Sequence, residues 1–170
     1  MPAPFRFEHT FRASSPAAIF AVYFDDAHRD EQDRRVDVAR REILEDVDGP
    51  RERRRTSRVF PRRQLPAIVR AIVKGDLSFD ETIVWTKADD TIDFDIQPRL
   101  LDGRAHIVGC YTLRSTGLGA VHRLYEGSVT VGTRLIGGRI EKAIVDDLTR
   151  SIAISVTCTQ EFIDRAKAAS

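Results

Sequence analysis

A chain of 170 residues with 42% hydrophobic content fits one globular domain over residues 1–170, large enough to bury roughly 70% of its unfolded surface around a single core. Its formal net charge of +1 supplies no overall field toward nucleic acid or an anionic membrane, so such a partner would need a local patch. No apolar run approaches the ~20 residues of a membrane span, and "MPAPFRFEHTF" lacks the apolar segment of a signal peptide, so a soluble, cytoplasmic protein is expected.

Phe5 to Arg12, "FRFEHTFR", sets Phe5, Phe7, His9 and Phe11 against Arg6, Glu8, Thr10 and Arg12. That is the period-2 signature of a half-buried strand, strand one. In "SSPAAIFAVYFDD", Ser15 is placed to cap a helix and Pro16 to occupy its first position, with Ile19, Phe20, Val22 and Tyr23 as the apolar body. The charged segment Asp25 to Arg35 then reads as a solvated second helix or turn; its acids and His28 match no metal cage. Val36 to Phe60 reads as a hairpin, strands two and three, around Asp48-Gly49-Pro50, because Asp-Gly favours a tight turn. A short helix is expected from Pro66 to Lys74, ended by Gly75.

"LSFDETIVWT" places Leu77, Phe79, Glu81, Ile83 and Trp85 on one face of strand four, so Glu81 shares the apolar side. Strand five, "TIDFDIQP", points Ile92, Phe94 and Ile96 inward, after a turn at Asp89-Asp90 and before one at Leu101-Asp102-Gly103. Strands six and seven, "AHIVGCYTLRS" and "AVHRLYEGSVTV", flank "TGLG" and carry apolar residues on both faces, which leaves His106 and His122 ambiguous. Cys110 and Cys158 are the only cysteines and share no motif spacing, so free thiols are expected rather than a disulfide or zinc site. In the last segment Ile140, Ile144, Leu148, Ile152 and Val156 recur every fourth residue, widened by Ala143, Val145, Phe162 and Ile163. A helix of about 30 residues, roughly 45 Å long, follows. Its stripe is too broad for one flat surface and calls for a curved partner.

This order of elements predicts an α+β fold: a seven-stranded curved antiparallel sheet wrapped around the long C-terminal helix, with short helices after strand one and before strand four. "FEHTFRASSPAAIFAV", "DETIVW" and "LIGGRIEKAIVDDL" resemble the START-like superfamily, the helix-grip fold shared with pollen-allergen-type proteins and polyketide cyclases. More narrowly the chain is similar to the bacterial domain of unknown function 2505. The resemblance runs from Phe5 to Ile163 and implies a lipid, sterol-like or polyketide-like ligand held between sheet and helix. Within that fold, Gly138 is expected to be the helix N-cap, with the Glu141 carboxylate reaching back to first-turn amides. Gly137 and Gly138 would form a sharp turn at the mouth of the cavity.

The expected pocket residues are Phe7, His9, Phe11, Phe79, Glu81, Ile83, Trp85 and Phe94 from the sheet, with Ile144 and Leu148 from the helix. No cofactor or metal is called for, and no phosphate loop or Ser-His-Asp pattern is readable. Three readings stay open. The first is a non-catalytic binder of a hydrophobic small molecule. The second is an aromatase/cyclase-like or hydratase-like enzyme, whose catalytic candidates are an inward His9 and Glu81 acting as an acid-base pair. The third is an interaction module through "RERRRTSRVFPRR", seven arginines in the thirteen residues from Arg51 to Arg63, otherwise a solvated or salt-bridged edge strand. No aromatic platform accompanies those arginines, so nucleic acid is not expected.

Overall fold

Alternation in the first strand survives folding intact: in β1 (Ala3–Arg12), Phe5 and Phe11 are buried, Phe7 and His9 half-buried, and the residues between them exposed. The structure, a computed structural model, describes residues 1–62, 67, 77–99, 103–133 and 135–170. Apart from residue 67, the helix expected over Pro66 to Lys74 lies outside these residues, as do the turn residues Leu101 and Asp102. Ser15 Oγ accepts from the Ala18 amide at 3.3 Å and opens α1 (Pro16–Tyr23). Asp25 does the same for His28 at 2.8 Å and opens α2 (Asp26–Arg35). Although α2 is charged along its length, it is not merely solvated, because His28 and Asp33 are buried.

The hairpin forms as β2 (Val38–Asp48) and β3 (Glu52–Pro61), with Gly49 N donating to Glu52 O at 2.8 Å across the Asp-Gly turn. β4 (Phe79–Thr86), β5 (Thr91–Pro98), β6 (Ala105–Gly117), β7 (Ala120–Val131) and the 32-residue helix α3 (Gly137–Ala168) complete the chain. The strands form one antiparallel sheet in the order β1-β7-β6-β5-β4-β3-β2, curved about α3 in the helix-grip arrangement. Inward faces of β6 and β7 belong to Ala105, Ile107, Tyr111 and Leu113, and to Val121, Arg123, Val129 and Val131. His106 therefore faces outward, 2.9 Å from Asp95, and His122 lies near Thr10 and Glu8 on the same outer face.

Two features needed long-range information. β3 is an interior strand, because β2 outside it forms the edge; the arginine run is therefore not an edge device. Three of its charges, Arg53, Arg55 and Arg58, are paired within the sheet. A register shift between Ile43 and Glu45 turns Asp46 to the inner face, where it accepts from both Arg53 and Arg55, and Arg58 bonds Asp80 at 2.7 and 3.1 Å on the outer face. Arg53 and Arg55 also lie over the Phe24 ring at 4.5 and 5.2 Å. The second feature is the glycine pair Gly109 and Gly127, directly opposite each other on β6 and β7. A Cβ on Gly109 would meet Glu126 O and the Phe94 ring, and one on Gly127 would meet Val108 O and the Phe5 ring. Their bareness admits the stack of Phe5, Phe94 and Tyr125, the last two at 4.7 Å and 2° interplanar angle.

Candidate functional site

Between the concave face of the sheet and α3 the described residues enclose a cavity of about 310 Å³, within the range of roughly 300–1,000 Å³ typical of small-molecule pockets. Its apolar wall comes from Phe79, Ile96 and Ile107 on the sheet and from Ile140, Ile144, Leu148 and Ile152 on α3, four residues of the fourfold stripe. Of the ten pocket residues expected, Phe79, Glu81, Ile144 and Leu148 line this cavity. The other six pack elsewhere in the core or at its edge. Trp85 stacks on Phe20 at 4.5 Å and on Phe24 at 5.6 Å, Phe94 on Tyr125, and Phe7 beside Phe5; Phe11 and Ile83 are buried. His9 stands edge-on to Phe11 at 4.7 Å.

The proposed His9–Glu81 pair is not assembled. Following the ladder from Glu81 through Ile96, Ile107 and Val129 reaches β1 at Ala3, six residues from His9 and four strands away. At ~4.8 Å per strand and ~3.4 Å per residue, neither offset is bridged by a side chain. What lies opposite His9 on β7 is Arg123. Burial first, then the charge of Arg123, push the His9 imidazole below its ordinary pKa and keep it neutral.

Glu81 instead belongs to a charged cluster in the cavity wall. Arg41 donates to Asp33 at 2.7 and 2.9 Å and to Glu81 at 2.8 Å. Burial works against the Arg41 charge, but Glu81 and Asp33 outweigh it and hold the guanidinium firmly protonated. Two carboxylates around one guanidinium leave this end of the cavity net negative. Near it, burial and then Glu81 push the Tyr23 and Tyr125 hydroxyls up, so both phenols stay protonated and can donate. Thr159, from α3, bonds the buried His28 ring at 3.0 Å, and burial pushes His28 below its ordinary pKa. Among the described residues no group of three His, Cys, Asp or Glu side chains is placed to hold a metal ion.

Outside the cluster of Asp33, Arg41 and Glu81 the wall carries Arg123 and Asp147, the latter paired with Arg150 at 3.1 Å. Arg123 is 7% exposed, lines the cavity, and rests over the rings of Phe11 at 5.2 Å and Tyr111 at 5.5 Å. Its Nε has no hydrogen-bond partner, and none of the ion pairs among the described residues includes it. Two desolvated cation–π contacts supply about 2 kcal/mol each, against an effective penalty of several kcal/mol for burying an ion. The nearest inward carboxylate on the ladder, Glu81, is already bonded by Arg41.

Sequence reasoning missed Arg41, Asp33, Arg123 and the three tyrosines. A signal for Arg123 and Tyr125 existed, since Val121, Arg123, Tyr125, Val129 and Val131 share one phase of β7. Arg41 had none: it sits between two register shifts of an edge strand.

At the start of α3 the expected capping is replaced by a tertiary bond. Ile136 holds the N-cap position and the helix begins at Gly137, so Gly138 is not the cap. Glu141, 4% exposed, accepts from the Val131 amide at 2.9 Å rather than from its own first turn. Val131 N is the last amide of β7, and burying it beside α3 demands an acceptor. A Cβ at Gly137 would lie 2.7 Å from Val131 O, whereas one at Gly138 meets nothing within 4 Å. Neither glycine lines the cavity described here.

No curated protein matches the chain. Among solved structures, Zhui aromatase/cyclase from Streptomyces sp. R1128 superposes with TM-score 0.70 at 10% identity, covering 97% of this chain and 95% of that one. A norcoclaurine synthase point mutant from Thalictrum flavum gives 0.66 at 13%, covering 98% and 97%. A START superfamily protein from Mycobacterium smegmatis gives 0.60 at 11%, covering 96% and 98%. At these identities the likeness establishes the START-like fold alone. Residues 6–163 match the family described as protein of unknown function (DUF2505), and the chain belongs to that family.

Proposed function

We propose that the protein binds a hydrophobic small molecule in the cavity between the sheet and α3, and holds it rather than transforms it. The observation that carries this reading is the cavity itself, about 310 Å³ walled largely by apolar side chains from both layers. A side-chain-filled version of the fold would have closed that space, since packed interiors leave few voids larger than a water molecule. The structural neighbours, which include a START superfamily protein and an aromatase/cyclase, agree with a ligand in this place. Against catalysis stands the state of the acid-base groups. Glu81 is bonded by Arg41, burial and Glu81 keep Tyr23 and Tyr125 protonated, and His9 lies outside the lining.

Native mass spectrometry of the purified protein, with extraction of whatever co-purifies, is the direct test. A lipid-like or aromatic species near one per chain is the expected result. Independently, the neutral dye N-phenyl-1-naphthylamine is expected to bind, and Ile144→Trp, which fills the cavity, to weaken it at least about tenfold. An empty mass together with no dye uptake refutes the reading.

A further inference from the structure

We propose that the ligand of this cavity carries a single carboxylate, which docks on Arg123 while its apolar body runs along α3. This rests on the cavity being a ligand site, and goes beyond it by naming the ligand's charge and orientation. Arg123 is buried, lines the cavity, and leaves Nε without an acceptor. A guanidinium has five N–H donors arranged as a fork that matches a carboxylate. Here the guanidinium lies over two aromatic rings and shares a hydrogen bond with the neutral Tyr111 side chain, which leaves Nε free and the charge without a carboxylate to match the fork.

Among the described residues no carboxylate forms an ion pair with Arg123; its side-chain hydrogen bond to Tyr111 is to a neutral phenol, and Asp147, which also lines the cavity, pairs with Arg150 at 3.1 Å. The ladder neighbours of Arg123 are His9 on β1 and Leu113 on β6, and His9 is neutral. Glu8 and Glu126, nearest on β1 and β7, are paired with Arg6 on the outer face. The ladder from Glu81 crosses β7 at Val129, six residues from Arg123, about 20 Å along the strand.

Three observations narrow the class. Of the two guanidiniums in the lining Arg41 is already bonded by two carboxylates, and among the described residues no lysine lines the cavity, so the single remaining guanidinium of Arg123 suits a monoanion better than a phosphate dianion. Asp33 and Glu81 outnumber Arg41 in their cluster, and Asp147, the further carboxylate in the lining, pairs with Arg150, so an anionic end is favoured at Arg123 over the cluster. A volume of about 310 Å³, at the small end of the roughly 300–1,000 Å³ range, admits one short chain or a small ring system rather than a two-chain lipid. Tyr111, kept protonated by burial with Arg123 partly opposing, stands beside the docking point as a second donor.

Isothermal titration of the full chain with decanoate and 1-decanol, and with 4-phenylbutyrate and 4-phenyl-1-butanol, tests this at one salt concentration. The acid of at least one pair is expected to bind at least about tenfold tighter than its alcohol, and Arg123→Met to cut that ratio to about twofold or less. The ratio is taken within each variant, and thermal melts report folding; Arg123→Gln replaces the methionine variant if that one does not fold. Equal binding of acids and alcohols to the native protein, or a preference that survives in the variant, overturns the carboxylate assignment and leaves the apolar pocket standing. If no acid and no alcohol binds, the pocket reading falls and the assignment falls with it.

Discussion

Arg41→Met removes the one cation that holds two half-buried carboxylates together. Arg41 makes three short charge-assisted bonds, and the side chains of Asp33 and Glu81 are only 12% and 25% exposed. Methionine retains most of the stem volume, so the change isolates charge from packing. Breaking a buried pair by deleting one partner costs ~3–5 kcal/mol. Because the cluster faces the cavity, where water can reach it, the low end applies. About 3 kcal/mol lowers the melting temperature of a chain this size by roughly 6–12 °C. Without Arg41 two carboxylates are left facing each other in a partly desolvated site with no cation between them. The triple change Arg41→Met, Asp33→Asn, Glu81→Gln leaves no unpaired charge and is expected to recover most of the loss. Differential scanning calorimetry of the native, single and triple forms at neutral pH is the assay. A single variant that melts within about 2 °C of native, or a triple variant no more stable than the single, refutes the account.

The two glycines before α3 should behave oppositely. Gly137→Ala forces a Cβ to 2.7 Å from Val131 O and is expected to cost about 1–3 kcal/mol. Gly138→Ala meets open space and is expected to gain about 0.5–1 kcal/mol by removing backbone freedom from the unfolded chain; urea midpoints that move in the same direction for both would contradict the geometry. A pH-dependent test lies in the arginine hairpin, where bonds from Arg53 and then Arg55, against a burial penalty, hold the Asp46 carboxyl down at about 2. A depressed folded-state pKa contributes stability that is present above the ordinary carboxyl value, near ~4, and is lost as pH falls toward the folded value. Asp46→Asn should thus destabilise by about 1–2 kcal/mol at neutral pH, discounted for partial exposure. Its gap from the native protein should close between about pH 4 and pH 2, and a gap constant with pH would falsify this assignment.

Local chemistry alone determined the elements. The alternation of Phe5 to Arg12, the cap at Ser15, the Asp48-Gly49 turn, the inward phase of Ile83 and Ile92 and the fourfold stripe after Gly138 each need only a few consecutive residues, and each appears in the structure. A strand face follows a period of two and a helix face a period of 3.6, and neither depends on what lies across the core. Strand order does depend on it. β1 pairs with β7, not with β4, and that single fact separates His9 from Glu81 and sets it opposite Arg123. The register shift in β2 moves Asp46 inward, the close approach of β7 to α3 gives Glu141 the Val131 amide, and the pairing of β2 beside β3 lets Arg41 reach Glu81. Each of these contacts joins two different elements, Arg41 and Glu81 being 40 residues apart, and no period within one element relates the partners. The apolar character of the site was legible in single strands; the placement of its charges was decided only when the sheet closed around the helix.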